Sequence, residues 1–285
     1  MIALLVVVYF VAALGNNPET KYIGQPVPSS LLQQITGVSD STLNAVGTPS
    51  GVSPPARISG STLTSGGKPE ILYVGGEFCP YCAIERWALI VALSHFGSFQ
   101  GLEYMLSSST DVNPDTPTFT FANATYTSNY VTFVPVEEFG RGGESQVIQT
   151  LTAEQQTLVS QYDTCSASGQ NGGIPFVDIA NKYAVNCGAQ FVLSDVAGSG
   201  SPNIVGMNWT QIASQLDNPN SGVAQMIDGA ANYLISSICV VTGDTPASVC
   251  TQSYGTETIS YSPSPASSVS SLVVPGVASE LRWTD

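Results

Sequence analysis

The 285-residue chain carries 7 basic and 21 acidic residues, a net charge of −14, and only 10% of its residues are charged. That balance excludes a nucleic-acid partner and docking on an anionic lipid surface through a basic patch, because both need clustered Lys and Arg. The length suits one elaborated domain or two small ones, and the low charge suits either an exported acidic protein or one that meets a low-pH exterior.

Met1 to Leu14 reads MIALLVVVYFVAAL. As a helix it reaches about 21 Å, short of a ~30 Å hydrocarbon core. It lacks the basic start and the cleavage motif of a signal peptide. It reads as a membrane anchor, with a signal-peptide core as the alternative, and either places the rest of the chain outside the cytoplasm, at the cell surface. Residues 15–66 are broken by Pro26, Pro28, Pro49, Pro54 and Pro55, which predicts a stalk and an arm lying on the core, with one weak helix at 29–36. A turn at Gly66-Gly67-Lys68-Pro69 introduces a strand at 70–75, and Cys79-Pro80-Tyr81-Cys82 follows it. From 80 to 97 the apolar residues run nearly all round a helix, which predicts a buried central helix with Glu85 and Arg86 on its polar side and Gly97 and Gly101 ending it. Strands are expected at 102–107, 118–121 and 130–136, then a helix at 151–162 capped by Thr152 or Ser145. Gly172-Gly173-Ile174-Pro175 opens a strand at 175–179, with a hairpin partner near 183–193. Helices follow at 208–216 and 223–240; the apolar stripe of the second is a core signature. From residue 251 the chain is a Ser- and Pro-rich tail with strand-like pieces at 256–261 and 271–274. The division is therefore an anchor (1–14), an arm (15–66), a core (67–250) with an insertion at about 110–172, and a tail (251–285).

A Cys-x-x-Cys at a strand-to-helix junction has a physical use. The helix N-terminus leaves backbone N–H groups unpaired, and its dipole favours a thiolate. Cys79 would ionise and attack a disulfide; Cys82, one turn on, would resolve the mixed disulfide. Pro175 at the mouth of an apolar run removes a ladder donor, which makes sense at a strand's first position and as a cis turn. Thioredoxin-like folds set such a proline loop against the dithiol, with the backbone of the preceding residue, here Ile174, pairing with the substrate chain. Pro80 and Tyr81 would bind the substrate with Ile174, and Tyr81 and Phe78 would line the rim of the groove. The order strand–helix–strand, insertion, strand–strand–helix predicts a thioredoxin-like α/β fold with a mixed sheet and helices on both faces.

The segments GKPEILYVGGEFCPYCAIERWALIVALSHFG, YMLSSSTDV, TPTFTF, IPFVDIANKY, NWTQIASQL and AQMIDGAANYLISSIC carry a further resemblance. Over about residues 20–252 the chain resembles an archaeal family of membrane-anchored thioredoxin-like proteins, domain of unknown function 929. That resemblance implies an outward-facing, membrane-attached protein and supplies no substrate. Pro80-Tyr81 looks like the dipeptide of glutaredoxins, but no counterpart of their glutathione-holding basic residues is recognisable, so glutathione chemistry is not carried over.

The competing readings of Cys79 and Cys82 are a permanent structural disulfide and zinc held with Cys165 and Cys187; an oxidising compartment and the strand–helix context oppose zinc. His95 is the sole histidine, so no histidine metal site is expected and it reads as a polar helix cap. Glu77 reads as a solvated loop acid or a proton relay, the former preferred, and Trp87 as core. Structural disulfides are expected as Cys165–Cys187 and Cys239–Cys250, each closing a short loop, although four cysteines allow three connectivities. Asn123 and Asn208 head N-glycosylation triplets. No cofactor or metal is implied. The expected function is an extracytoplasmic thiol–disulfide oxidoreductase acting on exported protein disulfides, with protein thiols or a membrane redox protein as partners. The alternative is a non-enzymatic subunit or assembly factor of a surface complex that reuses the fold.

Overall fold

The computed structural model describes residues 17–163, 173–186, 204, 206–252 and 254. The arm begins with a 3-10 turn at Pro18–Tyr22, followed by helices α1 (Ser29–Thr36) and α2 (Asp40–Val46) and short strands β1 (Ala56–Arg57) and β2 (Thr64–Ser65). The body opens with β3 (Lys68–Gly76) and α3 (Pro80–Ser94), then β4 (Gly97–Gln100), β5 (Glu103–Leu106), β6 (Pro117–Thr120), β7 (Thr125–Ser128) and β8 (Thr132–Phe139). Helix α4 (Ala153–Tyr162), strands β9 (Phe176–Ile179) and β10 (Tyr183–Val185), and helices α5 (Trp209–Leu216), α6 (Gly222–Thr242) and α7 (Ala247–Cys250) complete it.

The main sheet is mixed. Its order is β8–β3–β9–β10–β1, with β2 pairing only with the start of β3. β8 lies parallel to β3, whereas β9 runs antiparallel to β3 and β10 antiparallel to β9. The pleat of β3 sends Ile71 and Tyr73 to one face and Leu72 and Val74 to the other, all four buried. On the first face α3 and α6 pack with the arm residues Leu31, Ile35, Leu43 and Val52 in one apolar cluster. On the second, Leu72, Val74, Val136, Phe176 and Ala184 are covered by Leu158, Val159 and Tyr162 of α4. Helices thus cover both faces. Asn232 on α6 fastens the arm by donating to the carbonyls of Leu43 (2.9 Å) and Gly47 (2.7 Å). Helix α6 has the length and apolarity of a membrane span, yet most of it is buried inside the protein.

Several features depart from the sequence expectation. Glu85 and Arg86 do not form a polar side of α3; both are wholly buried, because α3 is enclosed by the sheet, α6 and the 103–121 segment. Helix α3 ends at Ser94 with His95 as its C-cap, and Gly97, expected as a helix stop, instead starts β4. The strand expected at 102–107 pairs with β6 in a separate hairpin, and β4 with β7 in another, rather than joining the main sheet. The short helix α2 has no counterpart in the sequence expectation; Ser39 caps it by accepting from the Thr42 N–H. The anchor 1–14, Cys165, Cys187 and the strand-like pieces of the tail lie outside the described residues.

The buried acids make stability depend on pH. Both carboxyl oxygens of Glu85 are buried without a hydrogen-bond partner, and burial pushes its pKa from 4.5 up to about 8. The unfolded chain releases this proton near pH 4.5 and the folded chain holds it to about 8. The stability contributed by neutral Glu85 is therefore complete below the lower value and lost as pH rises through the upper one. Asp178, raised by burial from 3.8 to about 6, acts in the same sense over a lower window. Urea denaturation is expected to show stability falling as pH rises from about 5 to about 8, with Glu85→Gln flattening the fall by a few kcal/mol. Parallel pH profiles for the two proteins would contradict the account.

Candidate active site

β3 ends at Gly76, and the chain turns through Glu77 and Phe78 into α3. Cys79 occupies the N-cap with extended backbone, and Pro80 the first helical position. The Cys79 sulfur does what a Ser or Asp oxygen usually does there: it accepts the Cys82 N–H at 3.3 Å. The Cys79 thiol in turn donates to the Ile174 carbonyl at 3.6 Å. Ile174–Pro175 is a cis peptide. It leads into β9, which pairs Phe176 with Val74 and so delivers Ile174 beside the end of β3. At Gly76 the approach is close: an added Cβ would lie 2.9 Å from the Phe78 ring and 3.2 Å from Ile174 Cδ1. Cys79 and Cys82 are separate thiols, and Cys79 is only 4% exposed.

The site's main charges lie beneath the sulfurs. Arg86, one turn beyond Cys82, forks onto Glu137 of β8, with Nε–Oε1 at 2.8 Å and Nη2–Oε2 at 2.6 Å. Glu137 Oε1 also accepts the Phe121 N–H at 3.2 Å, and the guanidinium lies 5.8 Å from the centre of the Tyr73 ring. Both members of the pair are fully buried, where Coulombic effects are weakly screened. Burial pushes the Cys79 thiol up, but hydrogen bonds from the Cys82 thiol and N–H, the Arg86 charge and the Tyr81 N–H outweigh it and leave Cys79 below the ordinary cysteine value. Cys82 moves the opposite way: burial, the hydrogen bond to Cys79 and the Cys79 charge hold it well above that value, with Arg86 offsetting only part.

Glu77 is buried rather than solvated. Its carboxylate accepts the Thr120 hydroxyl at 2.7 Å. Burial raises its pKa, the Thr120 bond lowers it, and the nearby Glu137 charge raises it again. Tyr81 and Phe78 are half-buried at the rim, with the Phe78 ring 6.2 Å from that of Phe139. Trp87 is core, its Nε1 donating to the Pro117 carbonyl at 2.9 Å. His95 sits 3.6 Å from Asp40, far along α3 from the dithiol. Cys239 and Cys250 are joined, tying the end of α6 to α7. Asn123 stands exposed in the turn between β6 and β7, whereas Asn208 caps α5 by accepting the Gln211 N–H. Among the described residues no cluster of His, Cys, Asp and Glu is placed to hold a metal. Arg86 and Glu137 are the site residues that sequence reading missed; a charged pair in an otherwise apolar helix and strand was the available signal.

Thiolate absorbance of the reduced protein is expected to rise first from Cys79, with Cys82 remaining a thiol into the alkaline range. Arg86→Met should move the Cys79 transition upward and, by leaving Glu137 buried and unpaired, destabilise the fold by about 3–5 kcal/mol. Arg86→Lys, which keeps the charge but loses the fork, should restore most of the thiol shift but less of the stability. An unchanged Cys79 transition in Arg86→Met would contradict the assigned electrostatics.

Neither the curated proteins nor the solved structures contain a match to this chain. One family model does match, over residues 54–240, the stretch that holds the main sheet, the dithiol, the cis-proline loop and most of α6. The chain belongs to the family described as Domain of unknown function (DUF929).

Proposed function

We propose that the protein is a thiol–disulfide oxidoreductase with a thioredoxin-like core, anchored in the membrane by residues 1–14 with its domain outside the cytoplasm, and acting on disulfides of exported proteins. The observation that carries this reading is the pair of buried thiols at one helix terminus, shifted in opposite directions, with Cys79 set against the Ile174 carbonyl. The element order β3–α3–β8, then β9–β10–α6, supports the thioredoxin-like core. The Cys239–Cys250 bond supports an oxidising compartment.

In the reductive direction the Cys79 thiolate attacks one sulfur of the substrate disulfide. A Cys79–substrate bond forms, the substrate S–S bond breaks, and the second substrate sulfur leaves as a thiolate that takes up a proton. Cys82 then loses its proton and attacks the Cys79 sulfur. The Cys79–Cys82 bond forms and the first substrate sulfur leaves, so that the substrate gains two electrons and the dithiol loses them. Substrate oxidation is the same sequence reversed, starting from the Cys79–Cys82 disulfide. The 4% exposure of Cys79 favours the second reading, a surface-complex subunit with an inert cysteine pair.

The full chain bearing Cys82→Ser is expected to accumulate mixed disulfides with cell-surface proteins, released by reductant and mapped to Cys79, while Cys79→Ser accumulates none. Equal yields from the two variants, or none from either, would favour the subunit.

A further inference from the structure

Two loops rise beside the dithiol turn: residues 107–116 between β5 and β6, and residues 140–150 after β8. Both are fixed to that turn. The Ser108 N–H donates to the Phe78 carbonyl at 2.8 Å, and the Glu77 N–H to the Phe139 carbonyl at 2.8 Å. An Arg141–Asp115 ion pair joins one loop to the other. Burial raises the Tyr81 phenol, and the charges of Cys79 and then Asp111 add to it, so Asp111 lies near Tyr81. Val147 bridges back to Phe139, which is in ring contact with Phe78.

These loops carry an unusual surface. Among the described residues four large apolar side chains stand in solvent, and three are here: Val112 (57% exposed), Val147 (59%) and Ile148 (40%). The fourth, Val240 (51%), is at the end of α6. The nearby charges are acidic, Asp111, Glu138 and Glu144, and the cation Arg141 is engaged by Asp115. Cys79 is only 4% exposed, so a disulfide on a flat folded surface does not reach its sulfur.

We infer that the two loops form a recognition surface for an extended polypeptide segment carrying apolar and basic side chains on either side of its disulfide. This inference rests on the exchange reading. An extended chain lets a cystine reach down to Cys79 while its neighbours cover Val112 of one loop and Val147 and Ile148 of the other. Basic flanks complement the rim's acids, and acidic flanks are repelled.

The test uses the reduced full chain and synthetic peptides whose one cysteine is disulfide-linked to nitrothiobenzoate, so that attack by Cys79 forms the peptide mixed disulfide and releases the coloured thiolate. Flanks of Leu, Val and Lys are compared with Leu, Val and Glu, with Gly and Ser, and with activated N-acetylcysteine alone. The apolar–basic peptide is expected to react about tenfold faster than the Gly–Ser peptide. The combined Val112→Ser, Val147→Ser and Ile148→Ser variant should lose that advantage and keep the wild-type rate with N-acetylcysteine. Equal rates for all peptides, or a variant that slows every probe alike, would overturn the recognition surface while leaving exchange at Cys79 standing. No reaction with any probe would overturn the exchange reading and the surface with it.

Discussion

A guanidinium–carboxylate fork in the interior, Arg86 on Glu137, fixes where the two thiols stand. It joins α3, which carries the dithiol at its start, to β8, the strand that returns beside β3. Taking both charges out of water is costly, and the fork is supported by the Phe121 N–H on the carboxylate and the Tyr73 ring near the guanidinium, although Arg86 Nη1 is buried without a hydrogen-bond partner. One arrangement thereby does two things. It holds the helix at one depth against the sheet, and it puts a fixed positive charge behind the sulfurs.

The asymmetry between the thiols follows from their place on the helix. Cys79 is the N-cap, where its sulfur receives an N–H and faces the cis-proline loop. Cys82 is one turn inside, fully buried, and close enough to Cys79 to be discouraged from ionising beside it. A nucleophile that ionises easily beside a resolving thiol kept protonated suits sequential exchange, because the second thiolate is released only when the first is engaged.

The chain itself announced the dithiol, since a strand, a Cys-x-x-Cys and an apolar helix follow one another without a break. The Gly-Ile-Pro turn was equally visible, and chain folding brings it to Cys79 across 95 residues. The Thr152 cap and the apolar stripe of α6 were legible for the same reason: each is a local pattern. What escaped is non-local. Arg86 and Glu137 lie 51 residues apart, and on a helix wheel Arg86 reads as solvent-facing until both sides of α3 are covered. Glu77 is buried because Thr120, from another hairpin, closes over it. Gly97 signals a helix stop in sequence, but there its missing side chain admits the Thr127 carbonyl and the Tyr126 ring in the β4–β7 pair.

The buried neutral carboxyls of Glu85 and Asp178 add a second dependence, because the folded state loses their contribution as pH rises. The central claim is that Cys79 and Cys82 are a working couple, and the most direct measurement is their equilibrium reduction potential in the full chain against a glutathione series. The account predicts a value within the range of exchange catalysts, about −120 to −270 mV. A potential below about −300 mV, in the range of structural disulfides, would contradict it.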